Sequence, residues 1–395
     1  MNRSRSLFLS ASLVVLLPVA SGVLWSAVAA QRSDDGEDSL YKYLSIFSEV
    51  FSLARSSYVD ETDSDALLGG ALEGVTDALD PFSNLVSADA LADYEATQAL
   101  AVRRSGLLLA RDRGIAYVVA VEEGSPAAAG GLERGDVVAG VDGADTRGMA
   151  LWRIEQKLAG APGQTVALRV LRHGETEERS LTLADFAAPA PRLEEVRGVP
   201  LLRLGRLTAE TAAAVRPLLV ELAAKERDKL AVDLRDLAIG DVDAAYGVGA
   251  LFATGELGAL ERRGEVVRHF RSTAEPVWKG ELAVLVDGGT LGAAEVLAAI
   301  LRDAAGGELV GTTTFGWAGE RSFLELSGGA KLHLTTAFYC GPDGEPVSGG
   351  LEPGVEVNEL SRSFGERERS LDELILERGI ELLLADGADA ARAAA

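Results

Sequence analysis

The chain has 395 residues, of which 47% are hydrophobic and 25% are charged, and its formal net charge is −23. This length and composition are typical of a globular protein with two or more domains, and the acidic surplus argues against nucleic acid as a partner. The single cysteine, Cys340, excludes an intramolecular disulfide and is expected to be a core or strand-end thiol. The three histidines are scattered without the spacing of metal ligands, so we expect neither a metal nor another cofactor.

Residues 1–30 have the pattern of an export signal. Arg3 and Arg5 precede an uncharged run from 7 to 30, and small residues that suit cleavage occupy 27–30. The run is also long enough to span a bilayer, so a cleaved signal peptide and an uncleaved membrane anchor both stay open. Either form predicts that the rest of the chain lies outside the cytoplasm.

Residues 31–100 are predicted to form a helical N-terminal region. After a polar linker, apolar residues recur at helical spacing over 40–56 and again from 67 to 79. The second helix should stop before Asp80-Pro81, because proline disfavours helix in the residue before it. A third helix is predicted over 88–97.

Residues 104–187 resemble a PDZ domain. The resemblance rests on the runs Gly124-Ser125-Pro126-Ala127, Arg134-Gly135-Asp136-Val137-Val138 and Val141-Asp142-Gly143. It implies that a peptide adds as a strand to the sheet while backbone N–H groups hold its terminal carboxylate. The predicted peptide-binding residues are Ser105, Gly106, Leu107, Leu108 and Leu109. The alternative is a PDZ domain that only packs against the core.

Residues 192–365 are predicted to form an α/β core. Strands over 200–204, 229–234, 282–286 and 309–312 alternate with helices over 209–225, 242–252 and 292–304. Such alternation favours a mostly parallel sheet, so the fold class is α/β, or α+β for the whole chain. Residues 366–395 should form a helix over 371–384 and a tail.

Two runs in this core resemble the carboxyl-terminal processing peptidases, or tail-specific proteases. Residues 285–295 match the family's Leu-Val-Asn/Asp-x-x-Ser-Ala-Ser-Ala-Ser-Glu, and residues 314–321 match its Thr-Phe-Gly-Lys-Gly-x-x-Gln. The resemblance covers about 40–385, includes the family's closing strands at 331–339 and 349–357, and implies a ClpP- or crotonase-like core in which the middle serine is the nucleophile and the lysine is its base. This chain has Gly292, Trp317 and Arg321 at the serine, lysine and glutamine positions. A misalignment of a degenerate stretch is the alternative reading.

The oxyanion segment of the family has also changed. Its pattern Leu-Asp-Leu-Arg-x-Asn-x-Gly-Gly corresponds here to residues 232–240, where Leu237 replaces the asparagine and Ile239 the first glycine. A β-branched residue rarely adopts the positive φ that glycine allows, so this turn is expected to differ from that of an active enzyme.

Three functional hypotheses follow. The leading one is an exported, inactive family member of the bacterial cell envelope or periplasm that binds protein C-termini or unfolded peptides, with an active peptidase relative as a candidate partner. The second is an active serine-type endopeptidase that cleaves near protein C-termini with a displaced catalytic residue, for which Thr290 is the nearest hydroxyl. The third is a purely structural envelope protein. We further expect Trp317 to lie across the former active site and pack near Ile239, rather than to be exposed on a loop.

Overall fold

The computed structural model describes residues 40–357 and 369–385, and these residues divide into two compact units between Ala71 and Leu72. The export segment predicted at 1–30 lies outside the described residues. None of the helices in those described ranges combines the length and the apolar character needed to cross a membrane.

Helices dominate the N-terminal region, as the apolar spacing predicts. The region contains α1 over 40–57, α2 over Ser64–Asp77, the short strand β1 over Asn84–Val86, and α3 over Leu91–Ser105. The third helix continues eight residues beyond its predicted end. It stops at Gly106, which adopts a left-handed φ of 73° and donates its N–H to the carbonyl of Val102. The sequence prediction ended too early because it overlooked this glycine as the helix stop.

The predicted PDZ region is an antiparallel sheet with two short helices. Its strands run in the order β2-β3-β4-β6-β7, with β5 beside β4. The elements are β2 Leu107–Asp112, β3 Ile115–Val121, α4 Pro126–Ala129, β4 Val137–Val141, β5 Ala144–Asp145, α5 Leu151–Leu158, β6 Thr165–Arg172 and β7 Glu175–Thr182. Helix α4 begins at Pro126 because the Ser125 hydroxyl caps it, accepting from the N–H of Ala128. Strand β2 is the edge that a bound peptide would extend.

The α/β core is built on a mostly parallel sheet, which confirms the predicted fold class. The strands run in the order β17-β14-β13-β10-β9-β8, and every neighbouring pair is parallel except β8 with β9. The strands are β8 Arg192–Val196, β9 Val199–Arg203, β10 Lys229–Asp233, β13 Glu281–Val286, β14 Glu308–Gly311 and β17 Val355–Glu356. The helices are α6 Thr211–Ala224, α7 Val242–Gly249, α8 Ala293–Asp303 and α9 Leu371–Leu384.

Both faces of this sheet are covered. Leu230 and Val232 of β10 pack into the apolar cluster formed with α6, α7 and α8, whereas Ala231 between them packs with α9 on the opposite face. Side chains alternate across a strand, so burial on both faces requires the nearly continuous apolar run that this strand has. The carboxyl ends of the central strands β10 and β13 therefore meet at one edge, where the predicted site begins.

A second, antiparallel sheet flanks the site, and the sequence analysis recognised only part of it. Its strands run β1-β16-β11-β12, with β15 paired to β16; the new members are β11 Gly255–Arg262, β12 Glu265–Ser272, β15 Gly319–Glu325 and β16 Lys331–Cys340. Strands β12 and β15 are largely exposed and polar, so they lack the apolar pattern of a buried strand. The closing strand expected at 349–357 shortens to Val355–Glu356, because Gly349 and Gly350 adopt φ angles of 83° and 93°. Cys340 is a buried strand-end thiol, as expected, and burial raises its pKa to about 11.

Candidate active site

The turn at Gly292 keeps a strained backbone geometry. It connects β13 to α8, and Gly292 has a φ of 61° and a ψ of −111°. A strained strand-to-helix turn of this kind is how several hydrolases project a nucleophile into a cleft. A Cβ added at Gly292 would come within 4.0 Å only of the Trp317 carbonyl oxygen, so the position has room for a side chain. The turn therefore retains a nucleophile-presenting geometry without a side chain to present.

Glu295 joins this turn to the segment that carries Trp317. Its fully buried carboxylate accepts hydrogen bonds from the backbone N–H groups of Gly292 at 3.0 Å, Gly316 at 2.6 Å and Trp317 at 2.9 Å. It also accepts from the Thr314 hydroxyl at 2.5 Å. Burial raises the pKa of Glu295, and these donors oppose that rise. The structure thus brings positions 292 and 317 together, as the two sequence motifs require.

The indole of Trp317 packs against other side chains, which disfavours the exposed-loop alternative. The ring is half-buried, its centroid lies 4.5 Å from that of Phe82, and the guanidinium of Arg321 lies 5.8 Å from it. However, no indole atom comes within 4 Å of the Cβ position at Gly292. The ring also packs in a cluster with Ala238 rather than with Ile239. The indole therefore packs in a cluster with the turn next to Ile239, as expected, but it does not occupy the space beside Gly292.

The remaining members of this wall come from several elements, including the PDZ sheet. They are Phe82, Leu108, Ala110, Tyr117, Val119, Ala238, Leu291 and Phe315. Strands β2 and β3 therefore lie directly on the segment that carries Phe315 and Trp317. Within this cluster the indole Nε1 of Trp317 is buried and has no hydrogen-bond partner among the described residues. An unpaired buried donor is a stability cost that the aromatic packing must outweigh.

Ion pairs hold the PDZ domain against the carboxyl ends of β10 and β13. Arg134 donates to the carboxylate of Asp236 at 2.6 Å and also to that of Asp287. Asp287 is fully buried and accepts the backbone N–H of Asp236 at 3.0 Å. Burial, followed by the charge of Asp287, raises the pKa of Asp236. Sequence analysis missed this cluster, because Arg134 and the two aspartates belong to separate motifs and nothing local pairs them.

The turn that aligns with the family's oxyanion segment has Ile239 in place of the first glycine but keeps Gly240. Asp236, rather than Ile239, takes the positive φ of this turn, at 52°. Gly240 is required by a close approach, since an added Cβ would lie 2.7 Å from the Cβ of Leu207. Among residues 40–357 and 369–385, no acceptor receives the N–H groups of Ala238 and Ile239.

These two residues line a cavity of about 350 Å³ between the PDZ sheet and the core. Its wall also includes Glu122, Arg206 and Arg235. Arg206 pairs with Glu122 through two hydrogen bonds, the longer of them 2.6 Å, so this ion pair bridges the PDZ sheet and the core beside the cavity.

Comparison with known proteins agrees with this geometry. Residues 198–357 match the model of peptidase family S41, and residues 117–172 match a PDZ domain model. The chain therefore contains a peptidase family S41 core and a PDZ domain. It is 26% identical to a carboxy-terminal-processing protease of Bartonella bacilliformis over 89% of this chain and 81% of that protein. It is 24% identical to the carboxy-terminal processing protease CtpB of Bacillus subtilis over 85% of this chain and 71% of that protein.

A solved structure supports the same fold. The photosystem II D1 C-terminal processing protease superimposes with a TM-score of 0.65 at 24% identity, covering 87% of this chain and 97% of that one. The position of this S41 core and its PDZ domain in the sequence agrees with the resemblance deduced from the motifs at 124–143 and 285–321.

Thr290 carries the hydroxyl nearest in sequence to Gly292, and this hydroxyl already forms hydrogen bonds within the S41 core. Its side chain is fully buried, donates to the carbonyl of Leu234 at 2.9 Å and accepts the N–H of Asp287 at 3.0 Å. A nucleophile needs a base within reach and an open path to the substrate. Thr290 instead fixes the start of the turn.

The loop expected to hold a peptide carboxylate forms hydrogen bonds within itself and with helix α3. The Ser105 hydroxyl donates to the carbonyl of Ala101 at 2.6 Å and accepts the N–H of Leu107 at 3.1 Å. Gly106 donates its N–H to helix α3, and an added Cβ there would collide with Ser125 at 2.1 Å. The N–H of Leu107 is thus satisfied by a side-chain oxygen, in the role that a carboxylate oxygen would otherwise have.

The side chains of the edge strand divide between two clusters. Leu107 and Leu109 are buried in the PDZ core, whereas Leu108 contacts the cluster around Trp317. The N–H of Arg111, further along β2, donates to the Pro81 carbonyl at 3.3 Å. Part of the edge that a peptide strand would use is therefore covered by the chain itself. Within the described ranges, no group of three His, Cys, Asp or Glu side chains is placed to hold a metal ion.

Proposed function

We propose that this chain is an exported, catalytically inactive member of peptidase family S41 that binds peptides or protein C-termini as an adaptor or regulator. One observation carries the proposal: the turn geometry at Gly292 and the Glu295 bridge persist, while the reacting groups do not. Glycine has no nucleophile, and the indole N–H of Trp317 donates a proton but accepts none.

A displaced dyad receives little support. Between Gly288 and Ala330 the sequence has no lysine, and its only serines are Ser322 and Ser327. The hydroxyl of Ser322 in β15 lies 3.0 Å from the hydroxyl of Thr336 in β16. With Thr290 buried and doubly hydrogen-bonded, no serine or threonine near the turn is paired with a basic side chain.

The test is a peptidase assay with an unfolded protein as substrate. We expect no turnover by the purified chain. Turnover that disappears in Thr290→Ala, but not in the matched surface variant Thr208→Ala, would overturn the proposal and identify Thr290 as a nucleophile.

Peptide binding is proposed at the PDZ edge, with Ser105, Gly106, Leu107, Leu108 and Leu109 forming the site. A peptide carboxylate has to displace the Ser105 hydroxyl from the N–H of Leu107, and the peptide has to extend β2 up to the point that Pro81 covers. A carboxylate is a stronger hydrogen-bond acceptor than a hydroxyl, so the displacement of Ser105 is favourable when the peptide ends in a free carboxylate.

Calorimetry with peptides that end in apolar residues tests this site. We expect free-acid peptides to bind and amidated peptides to bind at least tenfold more weakly. Equal binding of the two forms would reject carboxylate capture, and absence of binding would leave the PDZ domain as a packing element only.

Export is proposed from the basic start and the apolar run of residues 1–30. A reporter that is active only outside the cytoplasm, fused after Ala395, should be active. Deleting residues 7–30 should abolish that signal, and a cytoplasmic readout from the intact fusion would contradict export. An active S41 relative is a candidate partner, and co-purification from cells that contain both proteins would reveal it.

A further inference from the structure

Arg321 lies in β15, at the position where the peptidase family pattern has glutamine. Its side chain is exposed, and its guanidinium lies 5.9 Å from the ring centroid of Phe82 and 5.8 Å from that of Trp317. Aromatic faces attract a guanidinium without using its N–H groups. Within residues 40–357 and 369–385, this guanidinium forms neither an ion pair nor a hydrogen bond. Its N–H donors are therefore free for an acceptor from outside the chain.

The rings that hold Arg321 belong to the cluster that contacts β2, the edge strand of the PDZ sheet. Phe82 packs in this cluster with Leu108 of β2. The neighbouring Pro81 accepts the N–H of Arg111 at 3.3 Å, which covers the end of that strand. Arg321 therefore lies near the covered end of the edge that a peptide strand would extend.

Helix α5 lies beside the same strand. Ile154 of α5 shares an apolar cluster with Leu107 and Leu109 of β2. Glu155, the next residue of the helix, is half-buried, and burial raises the pKa of its carboxyl to about 7. The positive charge of Arg321 opposes this rise, so the two side chains are close enough to interact electrostatically. Arg321 thus faces both elements beside which a peptide would lie.

The course of a bound peptide follows from the position of its carboxylate. With the terminal carboxylate at the N–H of Leu107, the peptide runs along β2 towards Arg111. Residues of a strand are about 3.3 Å apart, so the residue about four positions before the C-terminus lies about 13 Å from the carboxylate. Four residues also separate Leu107 from Arg111, so this part of the peptide reaches Phe82 and Arg321. A carboxylate is the side-chain group that a guanidinium binds best, through two parallel hydrogen bonds.

We propose that Arg321 is a specificity-determining residue of the PDZ site and binds the carboxylate of an Asp or Glu side chain about four positions before the C-terminus of the peptide. The inference rests on the peptide binding proposed above at the PDZ edge. It adds that the residue that selects the peptide belongs to the S41 core rather than to the PDZ domain. Glutamine is neutral, so this preference for acidic peptides is specific to the arginine of this chain.

Calorimetry with the full-length chain tests the proposal. Two free-acid peptides end in the same apolar residues and differ only by Glu or Gln at the fourth position before the C-terminus. The Glu peptide should bind at least about fivefold more tightly to the natural chain. Arg321→Gln should reduce this ratio to about one by weakening the Glu peptide alone, and unchanged binding of the Gln peptide then shows that the variant is folded. Arg216→Gln, which removes an exposed charge from α6, should leave the ratio unchanged.

Three results would overturn the inference and leave the PDZ site itself intact. Equal binding of the two peptides to the natural chain would show that no acidic side chain is selected. A preference for the Glu peptide that persists in Arg321→Gln would assign the selection to another residue. Equal weakening of both peptides by Arg321→Gln would show that Arg321 holds the terminal carboxylate instead. Absence of binding by either peptide is a different result, because it would contradict the proposed peptide-binding function and the inference together.

Discussion

Replacing Trp317 measures how much the residue at the position of the family's lysine contributes to stability. A fully buried aromatic side chain removes about 150–250 Å² from water, so the half-buried indole accounts for roughly 100 Å². At about 25 cal/mol per Å², Trp317→Ala should lower the free energy of unfolding by about 2.5 kcal/mol. The contacts with Phe82 and Arg321 act in the same direction.

Trp317→Phe separates the packing of the ring from its unpaired N–H. The buried Nε1 has no partner, and such a donor costs about 1–3 kcal/mol. Phenylalanine removes that cost and leaves a smaller cavity worth about 1 kcal/mol. The two effects oppose each other, so Trp317→Phe should unfold within about 1 kcal/mol of the natural chain.

Scanning calorimetry distinguishes the two variants. Since 1 kcal/mol shifts the melting temperature of a large domain by about 2–4 °C, Trp317→Ala should melt at least about 5 °C lower and Trp317→Phe within about 3 °C of the natural chain. If Trp317→Ala does not change the melting temperature, the ring is not packed in solution. If Trp317→Phe lowers the melting temperature as much as Trp317→Ala does, the indole N–H has a hydrogen-bond partner, and the reasoning about Nε1 fails.

The remaining predictions concern the PDZ loop, the ion cluster and the lost chemistry. Ser105→Ala should bind a free-acid peptide several-fold more tightly, because the N–H of Leu107 then lacks its internal acceptor; unchanged or weaker binding in calorimetry would contradict this. The pKa of the Asp236 carboxyl is raised in the folded state. The stability that this carboxyl contributes is therefore fully present below its unfolded-state pKa of about 3.9 and is lost as pH rises through its folded-state pKa. Asp236→Asn should therefore flatten the decline in melting temperature between pH 4 and 8, whereas the exposed control Asp112→Asn should not; parallel curves for the natural chain and Asp236→Asn would refute this. Gly292→Ser combined with Trp317→Lys should give measurable cleavage of an unfolded protein, because the turn and the Glu295 bridge persist; Gly292→Ala with Trp317→Lys should give none, and equal activity of the two would exclude a serine–lysine reaction.

Much of the fold could be predicted from the sequence because its signals are local. The buried strand at 229–233 follows from one apolar run, and helix α8 from apolar spacing after a turn. The motifs at 285–295 and 314–321 also predicted the resemblance to peptidase family S41, which the match over 198–357 supports. Strands β12 and β15 were missed because largely exposed strands have no strong apolar alternation, and only their pairing with β11 and β16 defines them.

The amino-acid sequence by itself determined which residues stand at the family's nucleophile and base positions, since the identities of Gly292 and Trp317 need no coordinates. Only the tertiary structure decided what surrounds those positions. Arg134 reaches Asp236 and Asp287 across 102 and 153 residues of sequence, and Phe82 meets Trp317 from a distant segment. Such contacts depend on how separately folded elements pack, and their partners are selected by shape and burial rather than by any local periodicity.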